Sequence, residues 1–436
     1  MEKSKVALVK YEKPQESVQN AVEVIQGLDD VPTSAKVFIK PNIVYWNRHV
    51  TIPKWGVITT SRVIEDVVCL LKEKGIDNIT IGEGIVTEDL NDTETALDAW
   101  EKLGYNKLKE RYGVEVYNLF DRPYEKIDIG CGFDVNFSAD ALHADFLINL
   151  PVLKTHVQAI VSLGIKNLKG LLNIPSRKKF HTEQFEFNLS KLPEQIPPCL
   201  TVIDGIYSLE RGPAMDGKAR KSNILVASRD ILAADLVGSK LLGWDPSNVP
   251  YLVHAAENKN RPLDLSDIEV VGEDVDSLAS FHEFDYVYEE NDTLPLPFAN
   301  AGITGITYRK YDKTMCTYCS AMNGMILNAI KMAWDGKPFD NIEVLTGKLM
   351  EPTPGMNKTI LVGQCMWKKN KGNPDIKELI PIKGCPPSRE AMKEALEQAG
   401  IEAPDFFYNN LDQGPAIFMK KYRGNPEFEE NFFQIN

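Results

Sequence analysis

Four cysteines in the C-terminal third of the sequence have the residue type and spacing for metal or redox chemistry. Cys316 and Cys319 form a C-x2-C pair, and Cys365 and Cys385 extend it to C-x2-C-x45-C-x19-C. Each falls where a strand or helix is expected to end: the pair before an apolar helix over 320–334, Cys365 after the run TILVG, and Cys385 in IKGCPPS. Open α/β sheets bring the loops at the carboxyl ends of their strands to one region, so cysteines distant in sequence can surround one centre. Sulfur-only ligation suits zinc or iron–sulfur chemistry. Structural zinc usually takes two close pairs, and only one pair is close here, which favours a [4Fe–4S] cluster over zinc. A third reading needs no metal and treats the cysteines as small buried hydrophobes, the role assigned to Cys69, Cys131 and Cys199. Met315, Met322, Met325, Met366 and Trp367 lie around the four, either as a soft shell that excludes water or as ordinary core.

A second kind of chemistry is signalled by charge. The 436 residues carry 49 Lys and Arg against 62 Asp and Glu, a net charge of -13, which opposes indiscriminate binding to nucleic acid or anionic lipid. Two windows reverse that sign: Val31–Ile64 has no acidic residue and five basic ones, and Phe146–Thr182 has none against six. A local positive region in an acidic chain points to a small anionic substrate, a carboxylate or phosphate. Lys40 and Asn42 stand in IKPN after a strand, and Lys154 and His156 in LPVLKTH after another; Lys166, Asn167 and Lys169 follow in LGIKNLKG. The lysines and asparagines are candidates to hold the anion, with His156, Lys154 and Glu83 (in IGEG) as proton-moving or catalytic groups. Asp204, in VIDG, is a further carboxylate that the topology delivers to the same crevice, or a turn residue. Each single lysine also has the plain reading of a solvated surface charge. Trp46, Trp55 and Phe180 are too few and scattered for a nucleic-acid stacking platform.

The elements that must position these residues alternate. Strands are expected at 6–9, 37–39, 79–81, 114–117, 146–150, 200–203, 222–227 and 268–271, with helices over 16–27, 60–74, 93–111 and 229–243. Asp204-Gly205 reads as the turn ending one of them. Alternation of this kind predicts an α/β fold with a parallel, Rossmann-like sheet over 1–273. An acidic connection over 274–300 leads to a second, smaller α/β domain over 301–436 that contains the cysteine set. The start of the chain has no apolar leader and no stretch of 18 apolar residues occurs, so the expected location is the reducing cytoplasm, with no membrane partner.

These motifs together resemble the domain of unknown function 362 family, uncharacterised iron–sulfur-centre proteins of bacteria and archaea. The resemblance runs over most of 36–272: IKPN, GVITTSRVIEDVV, IGEG, INLPVLKTHVQAIVSLGIKNLKGLL, VIDGIYSLERGP and ASRDILAADLVGSKLLGWDP. It implies cluster binding, although the family's tight C-x2-C-x2-C runs are absent, so a single cluster held by an α/β domain is expected. The family is also distantly similar in layout to lactate racemase, whose nickel cofactor is not carried over. The leading expectation is an iron–sulfur oxidoreductase or cluster-dependent enzyme that binds a small anionic substrate between its domains, with a ferredoxin-type protein as electron donor. The alternatives are an electron carrier or metallocentre-assembly partner without its own substrate, and an enzyme stapled by zinc.

Overall fold

The computed structural model describes residues 3–87, 89, 91–130 and 132–435, so Cys131 lies outside the described residues. The chain forms two compact units: Met1–Arg177, Glu186–Asp285 and Pro415–Asn436 make the larger, Lys178–Phe185 and Tyr286–Gly414 the smaller.

The larger unit is built on β1 (Ser4–Lys10), β2 (Val37–Lys40), β3 (Ile79–Glu83), β4 (Glu115–Asn118), β5 (Tyr124–Asp128), β6 (Asp134–Ser138), β7 (Phe146–Asn149), β8 (Val152–His156), β9 (Ile160–Ser162), β10 (Cys199–Glu210), β11 (Lys218–Ser228) and β12 (Ile268–Gly272). Ten of them form one sheet in the order β12-β1-β11-β10-β7-β2-β3-β4, with β8 beside β10 and β9 beside β8; β5 and β6 are a separate hairpin. The sheet is mostly parallel, and β11 runs antiparallel to both β1 and β10. In β2 and β7 every residue is buried, because elements cover both faces, and such strands read as unbroken apolar runs. Helix Ser61–Glu73 is capped by Thr60, whose hydroxyl accepts from Val63 N, and it buries Val63, Val67, Leu70 and Leu71 as its spacing predicts.

Chain order along the sheet reverses beside β2. Strands β2, β3 and β4 step outward one way, and the next strand of the sheet, β7, is laid on the opposite side of β2. Connections after β2 and β7 therefore diverge, and the gap opens at their carboxyl ends, where Lys40 and Asn149 are register partners.

Several boundaries differ from expectation. The helix expected over 93–111 is two, Glu94–Lys102 and Tyr105–Tyr112, interrupted at Gly104 (φ 77°), where a side chain would collide with Ile435. Asp204-Gly205 is not a turn but the middle of β10: pairing with β11 carries the strand through, and the Asp204 carboxylate takes Ile206 N beside the shift in register. Residues 274–285 belong to the larger unit, anchored where Ser280 N and His282 N bond Leu241 O and Leu242 O. The segment 415–436, expected in the second domain, returns to the first because its aromatic residues complete that core. Phe428 and Tyr422 lie 5.5 and 5.2 Å from the Trp55 ring, Tyr207 stacks on Phe428 at 5.9 Å, and Lys221 pairs with Glu429 at 2.7 Å.

The smaller unit has a four-stranded sheet, β13 (Ile306–Tyr308), β14 (Ile342–Leu345), β15 (Lys358–Val362) and β16 (Glu378–Ile382), parallel throughout and in chain order. Helices Thr317–Ala333, Gly363–Asn370 and Arg389–Ala399 follow β13, β15 and β16. Ile326, Ile330, Val344, Ile360 and Leu396 are in its core. Among the described residues no helix is long and apolar enough to cross a membrane.

The returning C-terminal segment gives a test. Phe433 is buried within ring contact of Trp55 and Tyr207, and Phe433→Ala is expected to cost about 3–5 kcal/mol in urea unfolding. The exposed Ile417 of the same segment, changed to Ala, is expected to stay within about 0.5 kcal/mol of the parent.

Candidate functional site

In the larger unit the expected residues gather at the carboxyl ends of β2, β3 and β7. Lys40 closes β2, Glu83 closes β3 and Asn149 closes β7, three adjacent parallel strands. Lys40 is 0% exposed, and its ammonium donates to Glu83 Oε2 at 2.7 Å, Pro41 O at 2.6 Å and Asn167 Oδ1 at 3.4 Å. Burial pulls the Lys40 pKa down and the Glu83 charge opposes it. Glu83 also accepts from Ile43 N at 3.1 Å and Gly84 N at 2.8 Å, and Arg177 Nη2 faces its Oε1 at 3.9 Å. Arg177 in turn donates to Leu172 O, Gly84 O and Gly170 O. A Cβ on Gly170 would stand 2.7 Å from Lys40 Nζ and 3.2 Å from Glu83 Oε1, so only glycine lets this turn close over the pair.

Lys154, 1% exposed, directs its ammonium to Val57 O at 2.9 Å and Pro213 O at 3.4 Å. Its pKa is pushed down to about 7, first by burial and then by the nearby Lys166 and Lys40 ammoniums, with Glu83 opposing. Lys166 is likewise pushed down to about 7 by burial, although part of its side chain stays accessible. Lys169 is half-buried in the turn Leu168–Leu171. Buried His156 accepts from Gln158 N on Nδ1 at 3.0 Å, so its neutral ring carries the proton on Nε2.

Two expected site residues face the backbone. Asn42 donates to Val57 O at 2.9 Å, the same carbonyl that receives Lys154. Asp204 accepts from Thr60 N at 2.7 Å and Ile206 N at 3.1 Å, tying β10 to the cap of helix Ser61–Glu73; burial raises its carboxyl to about 6.

Three further residues prove important to this cluster. Asp235, on helix Ile231–Leu241, accepts from Gly164 N at 2.6 Å and Ile165 N at 2.9 Å, and so anchors the segment that carries Lys166 and Asn167. Burial raises its carboxyl to about 8, against the pull of those two donors. Asn149 donates to Gly164 O at 3.0 Å and accepts from Asn167 at 2.8 Å, and Arg177 braces the Gly170 turn. The available signal was a polar residue inside an apolar pattern: Asp235 in ILAADLVG and Asn149 in FLINLP.

In the smaller unit the four cysteines follow the carboxyl ends of parallel strands. Cys316 is the N-cap of helix Thr317–Ala333 and Cys319 lies in its first turn; Cys365 lies in the first turn of Gly363–Asn370, and Cys385 in the turn after β16. Cys319 is held well above the ordinary thiol range, first by its hydrogen bond with Cys316, then by burial and by the charges of Cys316, Cys365 and Cys385. All three other thiols are therefore within electrostatic reach of Cys319. Gly363 (φ 86°) makes room for it, since a Cβ there would stand 2.8 Å from Cys319 Sγ. Among the described residues no three His, Cys, Asp or Glu side chains are close enough to grip a single ion. Cys69 and Cys199 are buried and belong to the larger unit.

Comparison with known proteins bears out the resemblance read from the motifs: the family model described as domain of unknown function (DUF362) matches residues 37–240. A curated relative, thylakoid-associated protein sll1697 of Synechocystis sp. (strain ATCC 27184 / PCC 6803 / Kazusa), is 29% identical over 241 residues, which are 54% of this chain and 71% of that protein. Among solved structures, the lactate racemase apoprotein from Thermoanaerobacterium thermosaccharolyticum aligns at a TM-score of 0.34 and 15% identity. That alignment covers 54% of this chain and 56% of the other, so the chain spans little more than half of it.

Two predictions follow from the lysine cluster. Glu83→Gln leaves the Lys40 ammonium buried without its counter-charge and is expected to cost about 3–5 kcal/mol in chemical unfolding, whereas the pair Lys40→Met with Glu83→Gln is expected to recover much of that loss. Between about pH 8 and 10 the unfolded chain holds the Lys154 proton and the folded chain has released it, so Lys154 contributes stability that rises with pH. Lys154→Met is expected to flatten the stability–pH curve in that window by up to about 1.4 kcal/mol per pH unit.

Proposed function

We propose, taking residues 37–240 as a domain of unknown function 362, that this chain is an iron–sulfur oxidoreductase. Cys316, Cys319, Cys365 and Cys385 hold one [4Fe–4S] cluster, and the larger unit binds a small anionic substrate at its lysine cluster. The observation that carries the reading is the position of Cys319, within reach of three other thiols and beside a glycine that leaves space at its sulfur. Cys319, whose ionisation the other three thiols oppose, becomes favourable as a thiolate only around positive charge. Around one zinc, bonds of about 2.3 Å would bring sulfurs to roughly 3.8 Å of each other. In a cubane, by contrast, each of the four thiolates takes a different iron. Bound there, the cluster supplies one-electron transfer, and a ferredoxin-type protein is the donor class that matches it.

The substrate's charge is met by Lys154, Lys166 and Lys169, on elements stiffened by Asn167, Asn149 and Asp235. Lys40 and Glu83 neutralise each other, so they shape the floor of the site rather than bind the anion. Asn42 holds the loop after β2 in place, and Asp204, inside β10, holds the cap of helix Ser61–Glu73. His156 Nε2–H is the group that moves a proton. A cytoplasmic, reducing location suits free thiols.

Anaerobically purified protein is expected to contain about four irons and four acid-labile sulfides per chain, with an electron paramagnetic resonance signal after dithionite reduction. Cys319→Ser and Cys385→Ser are each expected to lower both contents. Zinc without sulfide, or iron content unchanged in those variants, would overturn the cluster assignment.

A further inference from the structure

Lys166 differs from the other lysines of the cluster. Lys40 is paired with Glu83, and Lys154 is bonded to two carbonyl oxygens. Among the described residues Lys166 Nζ has no hydrogen bond or ion pair, and burial is the sole influence on its ionisation. Its backbone, by contrast, is fixed on both sides. Asp235 holds Gly164 N and Ile165 N, Asn149 holds Gly164 O, and Asn167 is bonded to Asn149 and to Lys40 O. A chain that pins a four-residue helical turn from two strands and a distant helix, yet leaves its amine unpaired, has the arrangement of a preorganised nucleophile.

We propose that Lys166 Nζ condenses with the carbonyl carbon of a small oxo acid to form an imine. This deepens the anion-site reading and rests on it, because the carboxylate of the oxo acid is the charge that the lysine cluster meets. The Nζ lone pair attacks the carbonyl carbon, a C–N bond forms, and the carbonyl electron pair moves to oxygen, which takes a proton from the Lys154 ammonium. The carbinolamine returns its N–H proton to Lys154; a second proton transfer to the hydroxyl breaks the C–O bond and releases water. Amine and carbonyl become imine and water, with no oxidant or reductant consumed. Free amine is present at neutral pH because burial brings both Lys166 and Lys154 down to about 7, so one can be base while the other is acid.

The test uses the full chain, purified anaerobically, with glyoxylate as probe and cyanoborohydride as trap, read by peptide mass mapping. The expected result is one reduced adduct per chain on the peptide bearing Lys166. It should be absent from Lys166→Arg and Lys166→Met, each checked by circular dichroism for retained fold, and should form about a hundredfold more slowly in Lys154→Met. Adducts scattered over surface lysines and undiminished in the Lys166 variants would overturn the proposal. Oxalate, which carries the charge without a reactive carbonyl, is titrated calorimetrically in parallel. Oxalate binding with no glyoxylate adduct overturns the imine and leaves the anion site standing; neither binding nor adduct overturns both.

Discussion

The buried carboxylate of Glu83 is the constraint on which the larger unit's candidate site depends. A charge removed from water is tolerated only when its lone pairs are met by donors and an opposite charge. Glu83 meets that condition with groups from three parts of the chain: Lys40 Nζ and Ile43 N after β2, Gly84 N after its own strand, and Arg177 from beyond the lysine-bearing turn. Satisfying the ion therefore fixes the distances between strand ends. Asn167 extends the same network to β7 through Asn149, and Asp235 extends it to helix Ile231–Leu241.

That rigidity explains how an acidic protein can keep several lysines out of water. Lys40 is stabilised by its pair and Lys154 by carbonyl oxygens, but the cluster as a whole carries more positive than negative charge. Burial is then relieved by releasing protons, which is why Lys154 and Lys166 are pushed to about 7, with repulsion from Lys166 and Lys40 adding to the effect on Lys154. The unfavourable burial persists because the strand ends, each held by backbone and side-chain bonds, do not open to hydrate it.

Much of this was legible in the sequence where local pattern reports burial. The runs VFIK and FLIN gave β2 and β7, and the polar residue closing each run falls at the carboxyl end of a parallel strand, where the crevice forms. Lys40 and Glu83 were visible for that reason, whereas Lys154, inside β8, and Lys166 and Asn167, in the helical turn Gly164–Asn167, were visible through the acid-free basic window. What stayed hidden depends on partners far along the chain. Asp204 looked like a turn because its requirement for Thr60 N, 144 residues away, has no local signature. Asp235 sits in a helix so apolar that one acid reads as noise, yet it caps a turn 70 residues earlier. The aromatic tail FEENFF follows the second domain in chain order and carries no local sign of its return to the first, where Glu429 and Glu430 are the partners of Lys221 and Lys54.

The cysteine set illustrates the same division between what is local and what is distant. Its members are ordinary in sequence, one close pair and two singles, and they approach one another only because β13, β15 and β16 run parallel and release their chains on the same edge. A compact cluster-binding loop can wrap its cofactor before the rest of a domain folds; ligands spread over three strand ends cannot. Under the proposed cluster reading, occupancy is coupled to formation of the whole four-stranded sheet, with binding free energy appearing as stability of the smaller unit. Gly363 fits that picture, since the space beside Cys319 Sγ exists only once β15 has delivered the first turn of the following helix to it. The spacing that sets this chain apart from tight C-x2-C-x2-C runs thus makes the approach of its four cysteines a product of tertiary structure.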